Sequence, residues 1–208
     1  MSEIVNQLKA LKLHGMADSY AELLQQGQNA SVDMSHWLIQ HLLDAETTQR
    51  AIRSIGYQMT SARFPVHRTL ADFDFSQAKV DESLIKQLAT FAFTETAQNV
   101  VLVGGTGTGK THLATALGVS AIQHHGKRVR FYSTVDLVNL LELEKAAGKQ
   151  GRLAMSLLHM DLVILDELGY LPFSQAGGAL LFHLLSKIYE HTSVIITTNL
   201  TFSEWSSV

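Results

Sequence analysis

Residues 104–111, which read GGTGTGKT, constrain the fold more than any other part of the chain. They fit the pattern G-x-x-x-x-G-K-[ST], whose fixed positions are Gly104, Gly109, Lys110 and Thr111. The apolar run VVLV at 100–103 precedes the pattern, and a helical pattern continues after it to about His125. A strand that passes through a glycine-rich turn into a helix is the context in which this pattern forms a phosphate-binding loop.

The residue types in the loop suit the binding of phosphates. Glycines let the backbone curl so that successive amide N–H groups face an anion, and the following helix directs its partial positive charge at the same anion. Lys110 is expected to reach the β- and γ-phosphates of a nucleotide, and Thr111 to offer its hydroxyl to Mg²⁺. A chance glycine turn is the alternative, and a random match in a chain of this length is roughly a one-in-a-hundred event. We assign nucleotide binding to Gly104, Gly105, Thr106, Gly107, Thr108, Gly109, Lys110, Thr111 and His112.

Two carboxylates follow the apolar run LVIL at 162–165. Asp166 at the end of such a strand could hold the hydrated Mg²⁺ that bridges the phosphates. Glu167 would then orient and polarise the attacking water. Acids that merely end a strand and face solvent are the alternative, but the position of this pair on a second parallel strand after a phosphate-binding loop favours the metal and water site.

The next predicted strand, SVIITTN at 193–199, ends in Thr198 and Asn199. An amide at this edge of the sheet can contact the γ-phosphate or the attacking water and so report the state of the nucleotide. An ordinary asparagine at a strand exit is the alternative. We therefore predict Glu167, Lys110 and Asn199 as catalytic residues, with Thr111 and Asp166 at the metal.

The remaining pattern divides the chain into two parts. The first sixty or so residues read as helices, with a polar break at QQGQNAS and Ser31 as a candidate N-cap. Periodicity lapses near Arg63–Asp74, where Pro65 disfavours a helix. We predict a helical N-terminal segment, 1–65, that binds a partner or DNA, and an ATPase core, 66–208.

Helices and short apolar strands alternate from about residue 81, which predicts a parallel sheet covered on both faces. The predicted helices are Asp81–Phe93, a helix from the glycine-rich turn to about His125, Asp136–Ala147, Arg152–Leu158 and roughly Gln175–Glu190. The predicted strands are Asn99–Val103, Val129–Ser133, Leu162–Leu165 and Val194–Thr198. The fold class is therefore α/β, a three-layer αβα phosphate-loop NTPase core. On the helix after the two carboxylates, Phe182 and Leu185 are expected in the core.

Longer segments resemble a known family. GGTGTGKTHLATALG, LVILDELGYLPFSQAGGALLFHLLSKIYE and SVIITTNLTFSEW look like the IstB family of transposition helper ATPases, which is of the AAA+ class and similar to helicase loaders of the DnaC type. NQLKALKLHGMADSYAELL and RFPVHRTLADFDF are also similar to IstB proteins, so the resemblance covers essentially the whole chain. It implies ATP-dependent binding of double-stranded DNA, self-assembly into an oligomer and assistance of an IS21-type transposase, with ATP and Mg²⁺ as cofactors. By the resemblance, Gly104–Thr111 are the Walker A loop, Asp166 and Glu167 the Walker B pair, and Asn199 the sensor.

The resemblance departs from the family pattern after the sensor. Such proteins continue with an arginine that reaches a neighbour's ATP, a last core strand and a small helical lid, whereas nine residues follow Asn199 here. We expect the strand and lid to be missing, and the edge of the strand at 99–103 to be open. Weak nucleotide binding, poor hydrolysis and aggregation of the 208-residue chain are expected to follow.

Two stretches of the chain are rich in cations and free of acids. The first lies between Glu46 and Asp72, and its arginines, which we predict to contact DNA, are Arg50, Arg53, Arg63 and Arg68. The second lies between Glu95 and Asp136 and clusters Lys127, Arg128 and Arg130. A solvated face is the alternative for both stretches, and for the second the two interpretations stay open.

Composition excludes several classes of protein. The chain has no cysteine, which excludes disulfides, zinc fingers, iron–sulfur clusters and thiol catalysis. No apolar run approaches the ~18 residues of a membrane helix, and MSEIVNQLKALK lacks the apolar centre of a signal peptide. We therefore predict a cytoplasmic protein that does not enter the membrane. The net charge of −3 means that contact with nucleic acid depends on local patches.

Three other functions remain open. A DnaC-like loader of a replicative helicase differs from a transposition helper in its partner and is poorly separated by sequence. A small-molecule kinase would share the phosphate-binding loop, but Glu167 suits the activation of water and no acceptor-binding lid is evident. A degenerate copy without activity is opposed by the intact Walker residues, whereas the expected lack of the C-terminal strand and lid permits it.

Overall fold

The structure, a computed structural model, describes residues 3–25, 32–169 and 174–207. Its internal contacts divide the chain into two units, Met1–Tyr57 and Gln58–Val208. The functional division into 1–65 and 66–208 stays a prediction. The predicted N-cap Ser31 lies outside the described residues, as do residues 170–173, which belong to the family-like segment that begins LVILDELGYLPF at residue 162.

Helices form the first unit. They are α1 (Glu3–Ala10), α2 (His14–Gln25) and α3 (Val32–Ala62), the last of which continues into the second unit. A break between α1 and α2 was not predicted from periodicity. Lys12 there adopts a left-handed conformation with φ 60°. The N–H of Leu13 donates to the carbonyl of Leu8 at 2.9 Å, and that of Lys12 to Lys9 at 2.9 Å, which is the hydrogen-bond pattern of a Schellman cap.

The second unit is built on a parallel sheet. Its strands are β1 (Val100–Val103), β2 (Val129–Ser133), β3 (Leu162–Leu168) and β4 (Ser193–Thr198), in the order β1-β4-β3-β2. Its helices are the end of α3, α4 (Glu82–Leu88), α5 (Lys110–His125), α6 (Thr134–Ala146), α7 (Arg152–Leu157) and α8 (Gln175–Ile188). Short 3₁₀ helices lie at Leu70–Asp72, Ala92–Thr96 and Phe202–Ser207. The predicted edge position of β1 is confirmed within this sheet, and Val103 is exposed.

Helices cover both faces of the sheet. On one face, α5 contacts all four strands, and Gly118 lies against Ile164. On the other face, side chains from α6, α7 and α8 pack with β3 and β4 in one apolar core, which includes Leu137, Leu157, Leu165, Leu184 and Ile196. The predicted α/β class, with a parallel sheet flanked by helices and preceded by a helical segment, is confirmed.

Three local predictions are corrected. The helix predicted over Asp81–Phe93 ends at Leu88, because Phe91 adopts a left-handed φ of 57° with its ring buried. The strand predicted to stop at Leu165 continues to Leu168 through an irregularity described below. Phe182, expected in the core, is 73% exposed, whereas Leu185 packs against the core as expected.

Candidate functional site

The predicted phosphate-binding loop lies between β1 and α5. The N–H of Gly104 donates to the carbonyl of Thr198 at 3.1 Å, so the pairing of β1 with β4 continues into the start of the loop. Gly109 is the N-cap of α5 and has φ 87°, a conformation that L-residues with a side chain rarely adopt. The first N–H groups of α5 have no partner within the helix and are therefore available to an anion at this loop.

Lys110 and Thr108 bond to the loop itself. The Lys110 ammonium donates to the carbonyl of Gly105 at 2.7 Å, and the Thr108 hydroxyl donates to the same oxygen at 2.8 Å. These contacts hold the lysine's positive charge over the loop. A phosphate bound by the loop would therefore meet this charge at close range.

Thr111 and Asp166 meet as the sequence predicted. The Thr111 hydroxyl donates to Asp166 Oδ1 at 2.9 Å, although 55 residues separate the two in sequence. Asp166 is only 7% exposed, and Thr197 of β4 donates to the same Oδ1 at 2.6 Å. The Thr134 hydroxyl also donates to the backbone carbonyl of Asp166 at 2.7 Å. Hydrogen bonds therefore hold both the side chain and the backbone carbonyl of Asp166.

A bulge in β3 places the side chains of Asp166 and Glu167 in different environments. Leu165 pairs with Ile196 and Leu168 with Thr198, so Asp166 and Glu167 together face the single residue Thr197. Glu167 has φ 62°, and a non-glycine residue in this region costs on the order of 1–3 kcal/mol. Its N–H donates to Thr197 Oγ1 at 2.9 Å, which helps to hold that conformation. As a result Asp166 is buried against Thr111, whereas Glu167 is exposed.

The loop and the two strand ends enclose a cavity of about 280 Å³. Its lining residues are Thr106, Gly107, Gly109, Lys110, Thr111, His112, Glu167, Thr198 and Asn199. All three predicted catalytic residues, Lys110, Glu167 and Asn199, are thus brought together. The predicted loop residues Gly104, Gly105 and Thr108 are not among the lining residues and instead shape the loop through the hydrogen bonds described above.

The donor set fits a small divalent cation that is also held by phosphates. The Thr111 hydroxyl and the Asp166 carboxylate supply hard oxygens next to one another. Among the described residues there is no cluster of three or more His, Cys, Asp or Glu side chains that could hold a metal ion alone. Mg²⁺ is commonly bound by one or two protein oxygens, with phosphates and water completing its shell. The residues present therefore suit Mg²⁺ bound together with a nucleotide.

A family profile matches nearly the whole chain. The profile described as IstB-like ATP binding protein matches residues 6–208. The chain belongs to this family. The resemblance inferred from the sequence is thereby confirmed, and the matched range includes the loop, both acids of β3 and Asn199.

Relatives within the IstB-like family come from insertion sequences. One is described as the ATP-binding protein of insertion sequence IS21 from Pseudomonas aeruginosa, which is 35% identical over 209 aligned residues, covering 100% of this chain and 78% of the relative. Another, from IS5376 of Geobacillus stearothermophilus, is 32% identical and covers 95% of this chain and 78% of the relative. The chain is therefore similar to these proteins over nearly its whole length.

Solved structures place the IstB-like chain among AAA+ proteins. The DnaC helicase loader matches with a TM-score of 0.53 and 29% identity, over 60% of this chain and 73% of the loader. The replication initiator DnaA bound to AMPPCP and single-stranded DNA matches with a TM-score of 0.61 over 70% of this chain and 46% of DnaA. At 21% identity, the likeness to DnaA shows the fold alone. The predicted AAA+ type is confirmed for the fold of the chain.

Sequence reasoning missed Thr197 and Thr134. Thr197 bonds to both bulged residues of β3, and Thr134 bonds to the carbonyl of Asp166. Thr197 and Thr134 are both buried, and buried hydroxyls need partners. The available signal for Thr197 was that it is the first polar residue after the apolar residues 194–196.

The first basic stretch leaves most of its arginines exposed. Arg53 belongs to the first unit, and Arg63 and Arg68 belong to the second. All three are exposed, and among the described residues none of them forms an ion pair. Arg50 differs, because its Nε donates to Glu46 at 2.8 Å.

The Glu46 side chain holds the start of α2 against α3. Its Oε2 accepts hydrogen bonds from the N–H groups of Gly15 at 2.9 Å and Met16 at 3.3 Å. The hydrogen bond from Arg50 lowers the pKa of Glu46, burial opposes this shift, and the two backbone bonds add to it. Arg50 therefore forms an ion pair, which the other three predicted DNA-binding residues do not form among the described residues.

In the second basic stretch each cation bonds within the protein. The Arg128 guanidinium meets both oxygens of Asp161, at 3.0 and 3.1 Å. Lys127 pairs with Glu95, and Arg130 donates to the backbone carbonyl of Ser61. All three cations therefore have internal partners, and both interpretations of this stretch stay open.

Within the described ranges, no helix is long and apolar enough to cross a membrane.

Proposed function

We propose that this chain is an ATP-hydrolysing, DNA-binding helper of an IS21-type transposase. The observation that carries the catalytic half is the chain of hydrogen bonds from Thr111 through Asp166 and Thr197 to the N–H of Glu167. It joins the phosphate-binding loop to an exposed carboxylate at the same cavity. Hydrogen bonds that link the phosphate-binding loop to a carboxylate at the same cavity are expected in a site that hydrolyses a phosphate. A glycine turn that binds no ligand does not need them.

The residues have distinct tasks in the proposed reaction. Lys110 and the N–H groups at the start of α5 neutralise the β- and γ-phosphates. Thr111 and Asp166 hold Mg²⁺, which when bound offsets charge that builds on the phosphate oxygens. Glu167 orients the attacking water and accepts its proton. Asn199, which lines the same cavity as Glu167, reports whether the γ-phosphate is present.

DNA binding is proposed from the exposed arginines of the first basic stretch. Phosphate contacts by arginine give affinity with little dependence on base sequence, and the chain has no zinc finger or other base-reading module that its sequence reveals. The assistance of a transposase rests on the names of the relatives, which associate them with insertion sequences. ATP-dependent assembly on duplex DNA would connect the two activities.

Loading of a replicative helicase is the second candidate. It is supported by the likeness to the DnaC helicase loader at 29% identity. The two functions differ in the protein that is bound and share the nucleotide chemistry. Capture experiments with the chain bound to ATP, using the purified transposase of the same insertion sequence and the purified host helicase, distinguish them. Binding to the helicase alone would overturn the transposition proposal.

The nucleotide chemistry is tested with two variants of the full chain. Lys110→Ala should abolish or greatly weaken ATP binding measured by calorimetry, because it removes the cation over the loop. Glu167→Gln should keep ATP bound while phosphate release falls by roughly 10²- to 10⁴-fold, the usual contribution of a general base. Lys149→Ala and Glu22→Gln change exposed residues of the same types outside the cavity and serve as matched controls. Equal ATP affinity in Lys110→Ala, or unchanged turnover in Glu167→Gln, would contradict the assignment.

A further inference from the structure

A segment between the end of α3 and α4 runs along helix α5. We call residues 64–73 the strap. At one end the Phe64 ring lies so close to Gly118 that a Cβ on that glycine would be 2.7 Å from Phe64 Cε1. At the other end a Cβ on Gly109 would be 2.6 Å from Phe73 Cε2. Since carbon atoms pack at about 3.5–4.0 Å, each ring fills the space that a side chain would need.

The order of the contacts gives the direction of the strap. Phe64 meets Gly118, Thr69 meets His112, and Phe73 meets Gly109, so the strap runs antiparallel to α5. The middle contact is a hydrogen bond of 3.2 Å between His112 Nε2 and the carbonyl of Thr69. The strap therefore lies against the start of α5 by its own backbone as well as by its aromatic rings.

The Phe73 end of the strap contacts the phosphate-binding loop. The ring of Phe73 meets the ring of His112 edge to face, with centroids 5.3 Å apart and planes at 78°. Gly109 and His112 line the nucleotide cavity, whereas among the described residues Phe73 and Thr69 do not. The strap thus touches two residues of the site from outside the cavity.

Gly109 is the residue at which this contact can matter most. Its φ of 87° sets the turn from the loop into α5, and Lys110 and Thr111 follow directly. A glycine backbone is the most flexible in the chain, so without a neighbour it would sample several conformations and would have to be fixed when a phosphate binds. The ring of Phe73 packed onto Gly109 limits that freedom before any ligand arrives.

We propose that Phe73 is a positioning residue of the nucleotide site, which holds Gly109 in its left-handed conformation and so preorganises the loop for a nucleoside triphosphate. The nature of the ligand rests on the proposed function, whereas the effect on the loop backbone does not. Phe64, which packs on the middle of the same helix, supports the fold of α5 and has no such role.

The test compares Phe73→Ala with Phe64→Ala in the full chain. We expect Phe73→Ala to weaken binding of ATP by roughly 5- to 30-fold, the range expected when the backbone of one residue must be fixed on binding. The KM for ATP should rise by a similar factor while kcat stays within about twofold, since the ground state and the transition state are weakened equally. Phe73→Leu should recover most of the affinity because its side chain still fills the space over Gly109.

Phe64→Ala is the matched control for a general loss of packing. It should lower the melting temperature at least as much as Phe73→Ala does and leave the ATP affinity within about twofold, because Gly118 lies about two and a half turns along the helix from Gly109. An equal loss of affinity in both variants, in proportion to their loss of stability, would overturn the proposal. So would an unchanged affinity in Phe73→Ala.

Hydrogen–deuterium exchange separates this inference from the proposed function. In the absence of nucleotide, Phe73→Ala should speed exchange of the amides of residues 109–112, and Phe64→Ala should not. Failure of the parent chain to bind ATP would defeat the proposed function, yet the exchange result would still decide whether Phe73 holds the loop. Unchanged exchange at 109–112 in Phe73→Ala would overturn the inference.

Discussion

The two basic stretches look alike in sequence and differ in what their cations contact. Each combines several cations with an absence of acids over more than twenty residues. Lys127, Arg128 and Arg130 of the second stretch all bond to groups within the protein. Of the four arginines in the first stretch, only Arg50 forms an ion pair among the described residues. A run of cations in the sequence therefore does not say which of its charges already have a partner within the protein.

Within this comparison, the largest expected effect is on the affinity for DNA and comes from the exposed arginines of the first stretch. Replacing Arg53, Arg63 and Arg68 together with Ala should reduce the slope of log affinity for duplex DNA against log salt by about 2.7, at about 0.9 for each phosphate that the variant no longer neutralises. Between 50 and 200 mM salt, the parent should then lose about 40-fold more affinity than the variant. Fluorescence anisotropy with several unrelated duplexes measures both quantities.

The matched control for this prediction replaces Lys127, Arg128 and Arg130 with Ala. Its salt slope should equal that of the parent, provided that circular dichroism shows it folded at the temperature of the assay. A reduced slope in the control and an unchanged slope in the first variant would reverse the comparison between the two stretches.

The next effect concerns the stability of the second unit. Burial opposes ionisation of Asp161, but the hydrogen bonds from Arg128 outweigh it and lower the pKa of this carboxyl. Because both side chains are partly exposed, Arg128→Ala should cost only about 1 kcal/mol at pH 7 after allowance for solvent screening. Urea unfolding measures this difference, with Arg68→Ala as an exposed control that should cost little.

The same ion pair predicts a dependence on pH. The pKa of Asp161 is lower in the folded state than the value of about 3.9 expected when unfolded. Its contribution is therefore complete above that unfolded value and is lost as the pH falls through the folded pKa. The difference between parent and Arg128→Ala should shrink as acid is added. A difference that grows below pH ~4 would contradict this assignment.

A smaller effect is expected at Arg50, which has a structural partner in the first unit. The hydrogen bond from Arg50 lowers the pKa of Glu46, so Arg50→Ala should move that pKa back up toward its ordinary value. The stabilisation by Glu46 is present above its unfolded pKa and lost as the pH falls through the folded one, so the variant should lose it at a higher pH. NMR titration of the Glu46 carboxyl measures the shift, and Arg53→Ala should leave it unchanged.

The smallest effect is expected at Lys127. Its partner Glu95 is 69% exposed, and exposed ion pairs contribute about 0–1 kcal/mol. Lys127→Ala should therefore change neither the salt slope nor, beyond about 0.5 kcal/mol, the free energy of unfolding. A salt slope lower by about one in this variant would mean that Lys127 leaves Glu95 and binds a DNA phosphate.

Local sequence predicted the sheet and the phosphate-binding loop of the second unit well. The glycine pattern at 104–111, the apolar runs and the acids at 166 and 167 gave the sheet, the loop and the residues that line the cavity. These features depend on neighbouring residues, because a strand, a glycine turn and a helix start each require particular residue types at short spacing. Element ends were less accurate, as β3 and α4 show.

Only the tertiary structure decided how the predicted residues are held. The bulge that buries Asp166 and exposes Glu167 depends on Thr197, a strand away, and the shape of the loop at Gly109 depends on Phe73, from a segment 36 residues earlier by number. Whether a cation is exposed depends likewise on distant groups, such as Asp161 for Arg128. The sequence determines which side chains are available, whereas their hydrogen bonds and packing depend on which distant residues the fold brings within a few ångströms, and a single sequence carries no local pattern for that.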